Sequence, residues 1–433
     1  MSKRMIQVHE RLSLAQTIPL SIQHLFAMFG ATVLVPFLFH VNPATSLLMN
    51  GIGTIIYLII CQGKVPAYLG SSFAFIPPVL TILAVPAAGG YAAAQGGFIV
   101  FALVFILFSQ IIRMAGTHWI DVILPPAAMG AIVIVIGLEL APTATNMAGL
   151  TGTMMQDMHI PSHIAISISV ITLAVTIFGA VLFRGFFAVI PILIGMTVGY
   201  LAALLMGIVD LTIIYQAPWF TIPPFYKPVF HFNAILLILP VTLVVLAEHV
   251  GHLVVTSHVI QKDLVKDPGL HRSLLGDGIS NLLSGLVGAT PNTTYGENIG
   301  VMAITKVFSV WVIGGAAVLA IFIAFIGKMS ALIHSVPVPV IGGVAIFLFG
   351  VIAAMGIRML IEKQVDYTQA KNLALTSIVL ISGVSGAHIS IASVEIKGMV
   401  LGTLVAVIFS LILHVLASLG WQDEYALHVP EDL

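Results

Sequence analysis

Charged side chains are scarce in this chain, making up 8% of its 433 residues, where a soluble globular domain carries roughly a quarter. That scarcity, beside 59% hydrophobic residues, excludes an ordinary water-soluble globule. Neither sign of charge dominates, with 16 Lys and Arg against 17 Asp and Glu, so no basic surface is available for nucleic acid. The single cysteine, Cys61, excludes an intramolecular disulfide. There is no Gly-x-Ser-x-Gly elbow and no P-loop, which argues against a serine hydrolase and an ATP-driven pump. The opening run MSKRMIQVHERLSLAQTIPLS lacks the short apolar core and cleavage site of a removable signal peptide. The first membrane pass is therefore expected to begin near Leu20 and to stay in the mature protein.

What is abundant is apolar sequence in runs. At roughly 30 residues per pass and loop, of which about 20 span hydrocarbon, the length accommodates about fourteen passes. Fourteen runs bounded by Pro, Gly and charge are found at 20–39, 46–62, 68–84, 91–112, 122–140, 164–183, 185–208, 234–256, 273–289, 291–305, 307–327, 336–356, 369–387 and 396–417. An even count puts both termini on one side. Of the 16 Lys and Arg, all but Lys227, Lys328 and Lys397 then fall on the side of the termini, which the positive-inside rule makes cytoplasmic. The longest linkers, 141–163 and 209–233, read as extramembrane connections. Passes 9 and 10 are short enough to be half-length.

Two passes contain sequence poorly suited to a continuous helix. Pass 3 opens Gly70-Ser71-Ser72-Phe73-Ala74-Phe75-Ile76-Pro77-Pro78, and pass 10 opens Pro291-Asn292-Thr293-Thr294-Tyr295-Gly296-Glu297-Asn298. Pro77 and Pro78 suit a first helical turn, so 70–76 is expected to be extended backbone ahead of a half-helix. Extended backbone at membrane depth persists only where protein or water pairs its polar groups. Two such segments can pair with each other, aiming two half-helix N-termini at a central cavity. Pass 10 is pass 3 plus seven, and two seven-pass halves have opposite orientation, as in inverted-repeat transporters. The fold class expected is thus an all-α polytopic membrane protein of 14 segments in a 7+7 inverted repeat.

Polar residues inside the apolar runs fall on matching passes. Pass 8 carries Ala247-Glu248-His249-Val250-Gly251-His252, with Glu248 and His252 four apart on one helical face. Pass 10 carries Glu297, and pass 1, seven before pass 8, carries Gln23 and His24. Ionisable groups in hydrocarbon are costly and mark substrate or ion paths. His249 points about 100° away from Glu248 and reads as packing. Asp277, Glu139 and Glu395, near pass ends or beside Gly, read as caps or an aqueous rim. The order Glu-His-x-x-His is not the zinc-protease His-Glu-x-x-His, and no metal is expected. Two carboxylates offer acceptors and broken-helix N–H groups offer donors; a flat neutral ring with N–H and C=O groups, such as a nucleobase, fits both. Phe73 and Tyr295 are candidates to stack on its faces.

The run from Glu297 to Lys306, ENIGVMAITK, resembles the signature of the nucleobase–ascorbate (nucleobase:cation symporter-2) family. Gln23-His24, the Gly70–Phe75 run and the Ala247–His252 run are similar to its bacterial, uracil-transporting branch. The resemblance covers essentially the whole chain. It implies a core domain (1–120 and 231–330, segments 1–4 and 8–11), a gate domain (121–230 and 331–433, segments 5–7 and 12–14, with a cytoplasmic C-terminus), and short antiparallel strands in segments 3 and 10. It further implies that Glu248 and Glu297 accept from ring N–H groups and that the amides of Phe73, Gly296 and Glu297 donate to ring carbonyls. Tyr295 would line the site, His24 and Ser72 would support it, and Glu297, His252 and Glu248 would couple transport to protons. A carboxylate at 297, where purine-transporting relatives often carry Gln, favours uracil. Phe349 stands where a Tyr hydroxyl is expected in the gate. The resemblance also implies a homodimer in the bacterial inner membrane with no cofactor beyond the coupling proton.

The coupling logic follows from burial: closing a low-dielectric cavity over an ionised carboxylate costs its hydration, and a proton removes that cost. The expected activity is uracil:proton symport by rocking of core against gate. The alternatives are a purine (xanthine-type) permease, an anion transporter of the same architecture, for which basic residues are missing at the half-helices, and an intramembrane enzyme using the Glu/His cluster.

Overall fold

The computed structural model of the chain describes residues 5–85, 89–391 and 394–420. Lys3 and Arg4, counted above for orientation, and the C-terminal tail 421–433, assigned above to the cytoplasm, lie outside the described residues. The apolar runs are helices, as they must be where no water pairs the backbone. The first third runs α1 (Leu14–Ala27), α2 (Phe29–Leu38), α3 (Pro43–Ile60), β1 (Leu69–Ser71), a 3-10 turn (Phe73–Phe75), α4 (Ile76–Ala84), α5 (Gly90–Ala115), α6 (His118–Ile123) and α7 (Pro126–Glu139). It continues through α8 (Ala141–Met147), α9 (Met154–Asp157), α10 (Ser162–Leu182), α11 (Pro191–Leu205) and α12 (Thr212–Gln216). Then come α13 (Phe232–Ile238), α14 (Val241–Ile260), α15 (Leu270–Val287), β2 (Asn292–Thr294), α16 (Gly296–Thr305), α17 (Val310–Ala324) and α18 (Gly327–His334). The chain ends in α19 (Val338–Glu362), α20 (Ala370–Val384), β3 (His388–Ile391), β4 (Val394–Lys397) and α21 (Gly398–Ser418). Among the described residues, 8 helical stretches are long and apolar enough to cross a membrane, and shorter apolar helices accompany them.

Several boundaries differ from the sequence reading. The first pass begins at Leu14, not Leu20, and breaks at Met28, whose φ of −94° and ψ of 0° leave the helical range. Pass 9 is not half-length: α15 is an unbroken helix of 18 residues, about 27 Å long at 1.5 Å per residue. The extended stretch expected over 70–76 shrinks to Leu69–Ser71, because Phe73–Phe75 already turns and α4 starts at Ile76. The run 388–395, read as plain linker, contains most of two antiparallel strands in which Ile389 faces Ile396.

Two kinds of packing divide the helices. α15 lies against α3 and α5, and α17 against α1 and α3, whereas α19 packs on α7 and α10, and α20 on α7 and α21. α19 and α7 meet at backbone distance: a methyl on Gly356 would sit 2.7 Å from the Gly130 carbonyl oxygen, the close approach that small residues permit between membrane helices. Glu139, at the end of α7, accepts from the Met399 N–H at 2.7 Å and so caps α21, the capping role read for it above.

β1 and β2 form an antiparallel pair with Leu69 opposite Thr294, Gly70 opposite Thr293 and Ser71 opposite Asn292. The ladder continues at both ends, Tyr295 N–H donating to Tyr68 O at 3.1 Å and Ser72 N–H to Pro291 O at 2.8 Å. Side chains finish the pairing: Thr54 Oγ1 accepts from Leu69 N–H at 2.9 Å. The Asn281 amide, projecting from α15, donates to Asn292 O at 3.0 Å and accepts from Asn292 N–H at 2.7 Å. Asn281→Ala leaves both backbone groups of Asn292 unpaired in a dry interior, at about 1–3 kcal/mol per group. A thermal melt of the purified variant in detergent is expected to show a clearly lowered midpoint, and an unchanged one would contradict this bracing role.

Candidate functional site

Each strand of the pair runs directly into a short helix, β1 through the 3-10 turn into α4 and β2 into α16. The first N–H groups of a helix have no partner within it. The opening residues of α16, Gly296 and Glu297, therefore present donors at the end of β2. α14 lies alongside, packing against β2, α16 and the 3-10 turn. On α14, Glu248 and His252 share the face turned to α16. The His252 Nδ1 pairs with Thr294 Oγ1 at 3.1 Å, and its Nε2 lies 3.3 Å from where a methyl on Gly296 would be.

Glu248 lies close enough to Glu297 and to Asp277 to feel the charge of each. Both glutamates are half-buried. Among the described residues, neither carboxylate has a hydrogen bond or ion pair with another residue's side chain. Two such acceptors repel each other, and a ligand N–H or a proton placed on them relieves that repulsion. The N-terminal position of Glu297 also sets it in the positive end of the α16 dipole.

The expected supporting residues take definite places. His24, buried in α1, accepts from Asn298 Nδ2 on its Nδ1 at 3.0 Å and on its carbonyl oxygen at 3.1 Å. It thereby fixes the first turn of α16, next to Glu297. The Ser72 hydroxyl is buried with no hydrogen-bond partner among the described residues, beside the Phe73 amide. Phe73 itself is buried and meets Phe349 of α19 edge to face, with ring centroids 6.4 Å apart at 88°. Phe349 thus contributes an aromatic edge where a hydroxyl was expected. Tyr295 is not presented for stacking: its ring covers Gly70, and its hydroxyl donates to Ser71 O at 2.6 Å. It clasps the strand pair.

Asp277 is the residue most misread from sequence. Far from an aqueous rim, it is fully buried midway along α15, 3.0 Å from His249 Nδ1. His249 Nε2 pairs with Ser273 Oγ at 2.7 Å, and that hydroxyl with Tyr57 OH at 2.6 Å. Asn281 Nδ2 donates to the other Asp277 oxygen at 3.1 Å. His249 is structural, as read, but as a member of this polar chain behind Glu248. The spacing 273, 277, 281 was the available signal, since it draws a polar stripe down one face of α15.

The arrangement offers two carboxylate acceptors and adjacent helix-terminal donors. It suits a small planar solute carrying both N–H and C=O groups. Comparison with known proteins bears on which. The permease family profile Xan_ur_permease matches residues 15–391. A uracil permease of Escherichia coli (strain K12) is 60% identical over 423 residues, covering 98% of this chain and 97% of that protein. A uracil permease of Paenibacillus larvae is 55% identical over 424 residues, covering 98% and 100%. Among solved structures, the transmembrane domain of the cyanobacterial bicarbonate transporter BicA is similar in fold, with a TM-score of 0.65 at 15% identity over 94% of this chain and 99% of that one.

Proposed function

The chain belongs to the Xan_ur_permease family, a family of permeases and not of enzymes, and from that membership we propose that it imports uracil by proton symport. The observation that carries the proposal is the convergence of Glu248, Glu297 and His252 on the first turn of α16, where the opening N–H groups of the helix have no partner within it. Uracil has two ring N–H groups and two carbonyls. In the proposed complex Glu248 and Glu297 accept from the N–H groups, while the amides of Phe73, Gly296 and Glu297 donate to the carbonyls. His252, held by Thr294, orients the pair and shares the coupling proton.

Fourteen membrane segments in two inverted halves complete the reading, with both termini in the cytoplasm of a bacterial inner membrane. Segments 1–4 and 8–11 form a core that carries the site. Segments 5–7 and 12–14 form a gate through which two copies associate, and the gate rocks against the core. Two features support that division: α19 is joined to α7 at backbone distance, but meets the site through side-chain tips. The fold likeness to a bicarbonate transporter concerns architecture alone. An anion site would call for basic side chains, and neither 69–84 nor 292–305 contains one.

The test is uptake of labelled uracil by liposomes holding the purified protein, with and without an inward proton gradient. Each pH unit of gradient sustains about tenfold accumulation per proton carried, from about 1.4 kcal/mol per unit. Gradient-driven accumulation is the expected result; uptake of xanthine or of an anion in its place would overturn the substrate. Glu248→Gln exchanges a charged acceptor for a neutral one, a loss of about 1.5–3 kcal/mol. Uracil binding by this variant is expected to weaken by about 10-fold to 100-fold, measured by titration calorimetry; unchanged affinity would remove Glu248 from the site.

A further inference from the structure

The two sides of α19 differ in kind. Toward α7 and α10 it is joined through glycines: a methyl on Gly356 would meet the Ile134 amide nitrogen at 2.7 Å, and one on Gly343 would meet the Thr172 Cβ at 2.9 Å. Toward the site it extends only side-chain ends. Met355 and Met359, four apart and therefore on one ridge, reach two glycines of the site helices. The Met355 Cε lies 3.1 Å from where a methyl on Gly296 would be, and the Met359 Cε lies 3.2 Å from the corresponding position on Gly251. Gly296 opens α16 immediately before Glu297, and the same hypothetical methyl is 3.3 Å from His252 Nε2. The Met355 thioether, the His252 ring and the start of α16 thus meet at one point.

Met355 is 38% exposed, so its side chain is not locked in a core. An unbranched thioether fills irregular space and adapts to what lies against it. With Phe349 held edge-on to Phe73, α19 covers the opening of both half-helices, at one by an aromatic edge and at the other by a methionine.

Resting on the uracil reading above, we propose that Met355 is a specificity-determining residue, an apolar stop over the start of α16 that limits the size of the ring admitted beside Glu297 and His252. A pyrimidine without a bulky substituent passes the stop; a 5-methyl pyrimidine or a bicyclic base meets it. Pocket shape of this sort discriminates one methylene by about tenfold or somewhat more. Met355 makes no hydrogen bond that the carboxylates depend on, so shortening it changes which ring fits while leaving the polar contacts in place.

The test compares purified wild-type protein, Met355→Ala and Met355→Leu by ligand-induced thermal stabilisation with uracil, thymine and xanthine. That readout does not depend on transport. In Met355→Ala, affinity for thymine or xanthine relative to uracil is expected to rise by about tenfold; in Met355→Leu, of similar bulk, the ratio stays at the wild-type value. Met355→Val supplies the same comparison should alanine leave the protein unfolded. A ratio unchanged in a folded Met355→Ala overturns the proposal. So does a leucine variant that shifts the ratio as far as alanine, because bulk would then not be the determinant. Wild-type protein stabilised by xanthine and not by uracil overturns the functional reading beneath it, which is a different result.

Discussion

Glu297→Gln is expected to carry uracil only to equilibrium, with no accumulation under an inward proton gradient. Glutamine keeps the size and one acceptor oxygen of glutamate, so a ring N–H still finds a partner and binding falls far less than coupling. What glutamine cannot do is take up and release a proton. At position 297 that loss falls at the N-terminus of a half-helix, near Glu248. Without a titrating group there, the cavity closes equally well whether or not a proton is supplied, and the gradient performs no work on uracil. With a gradient of two pH units, the wild type is expected to reach about 100-fold accumulation per proton carried, and the variant about onefold. The measurement is labelled uracil retained in proteoliposomes at two external pH values. Full accumulation by Glu297→Gln would move the coupling proton to another residue, with Glu248 and His252 next in line.

Gly70→Val is expected to destroy the site by dismantling the strand pair. The position lies directly under the Tyr295 ring, and even a methyl there would overlap it. The ring has nowhere to turn, being buried and tied by its hydroxyl to Ser71 O at 2.6 Å. Overpacking in a filled interior costs about 1–3 kcal/mol, and displacing Tyr295 adds a lost hydrogen bond of about 1 kcal/mol. Because Tyr295 immediately precedes Gly296 and Glu297, the displacement reaches the residues proposed to bind uracil. Uracil binding is expected to vanish and the melting point to fall. Pairing the change with Tyr295→Ala, which empties the contested space, should recover part of the stability. If Gly70→Val bound uracil normally, the ring would not be where the clasp requires it.

Much of the candidate site was legible because its residues violate their surroundings. Glu248, His252 and Glu297 are ionisable groups in apolar runs, and no packing rule asks for them there. Pro77-Pro78 after Ser71-Ser72 marked a late helix start, displaced in the structure by a single residue. Periodicity names a face but not what lies opposite it. Asp277 looked peripheral between two glycines because its partner His249 belongs to another helix. Tyr295 looked like a stacking surface because an aromatic ring beside a candidate binding glutamate has two uses, and only the absent side chain of Gly70 decides between them. The paired strands His388–Ile391 and Val394–Lys397 escaped notice for another reason: they have 4 residues each, too short for alternation to stand out from a linker.

The strand pair also constrains how the protein is made. Tyr295 and Ser71, which it joins, stand 224 residues apart in the chain. A ribosome adding about 5–20 residues per second leaves β1 without its partner for on the order of ten seconds or more. Through that interval the backbone groups that pair with the β2 segment, among them Tyr68 O and Ser72 N–H, must be satisfied by something else, since bare backbone is not tolerated in lipid. The first half of the molecule therefore waits at the insertion machinery, or near water, until β2 arrives, and a truncated chain ending before Asn292 should be a substrate for membrane proteases.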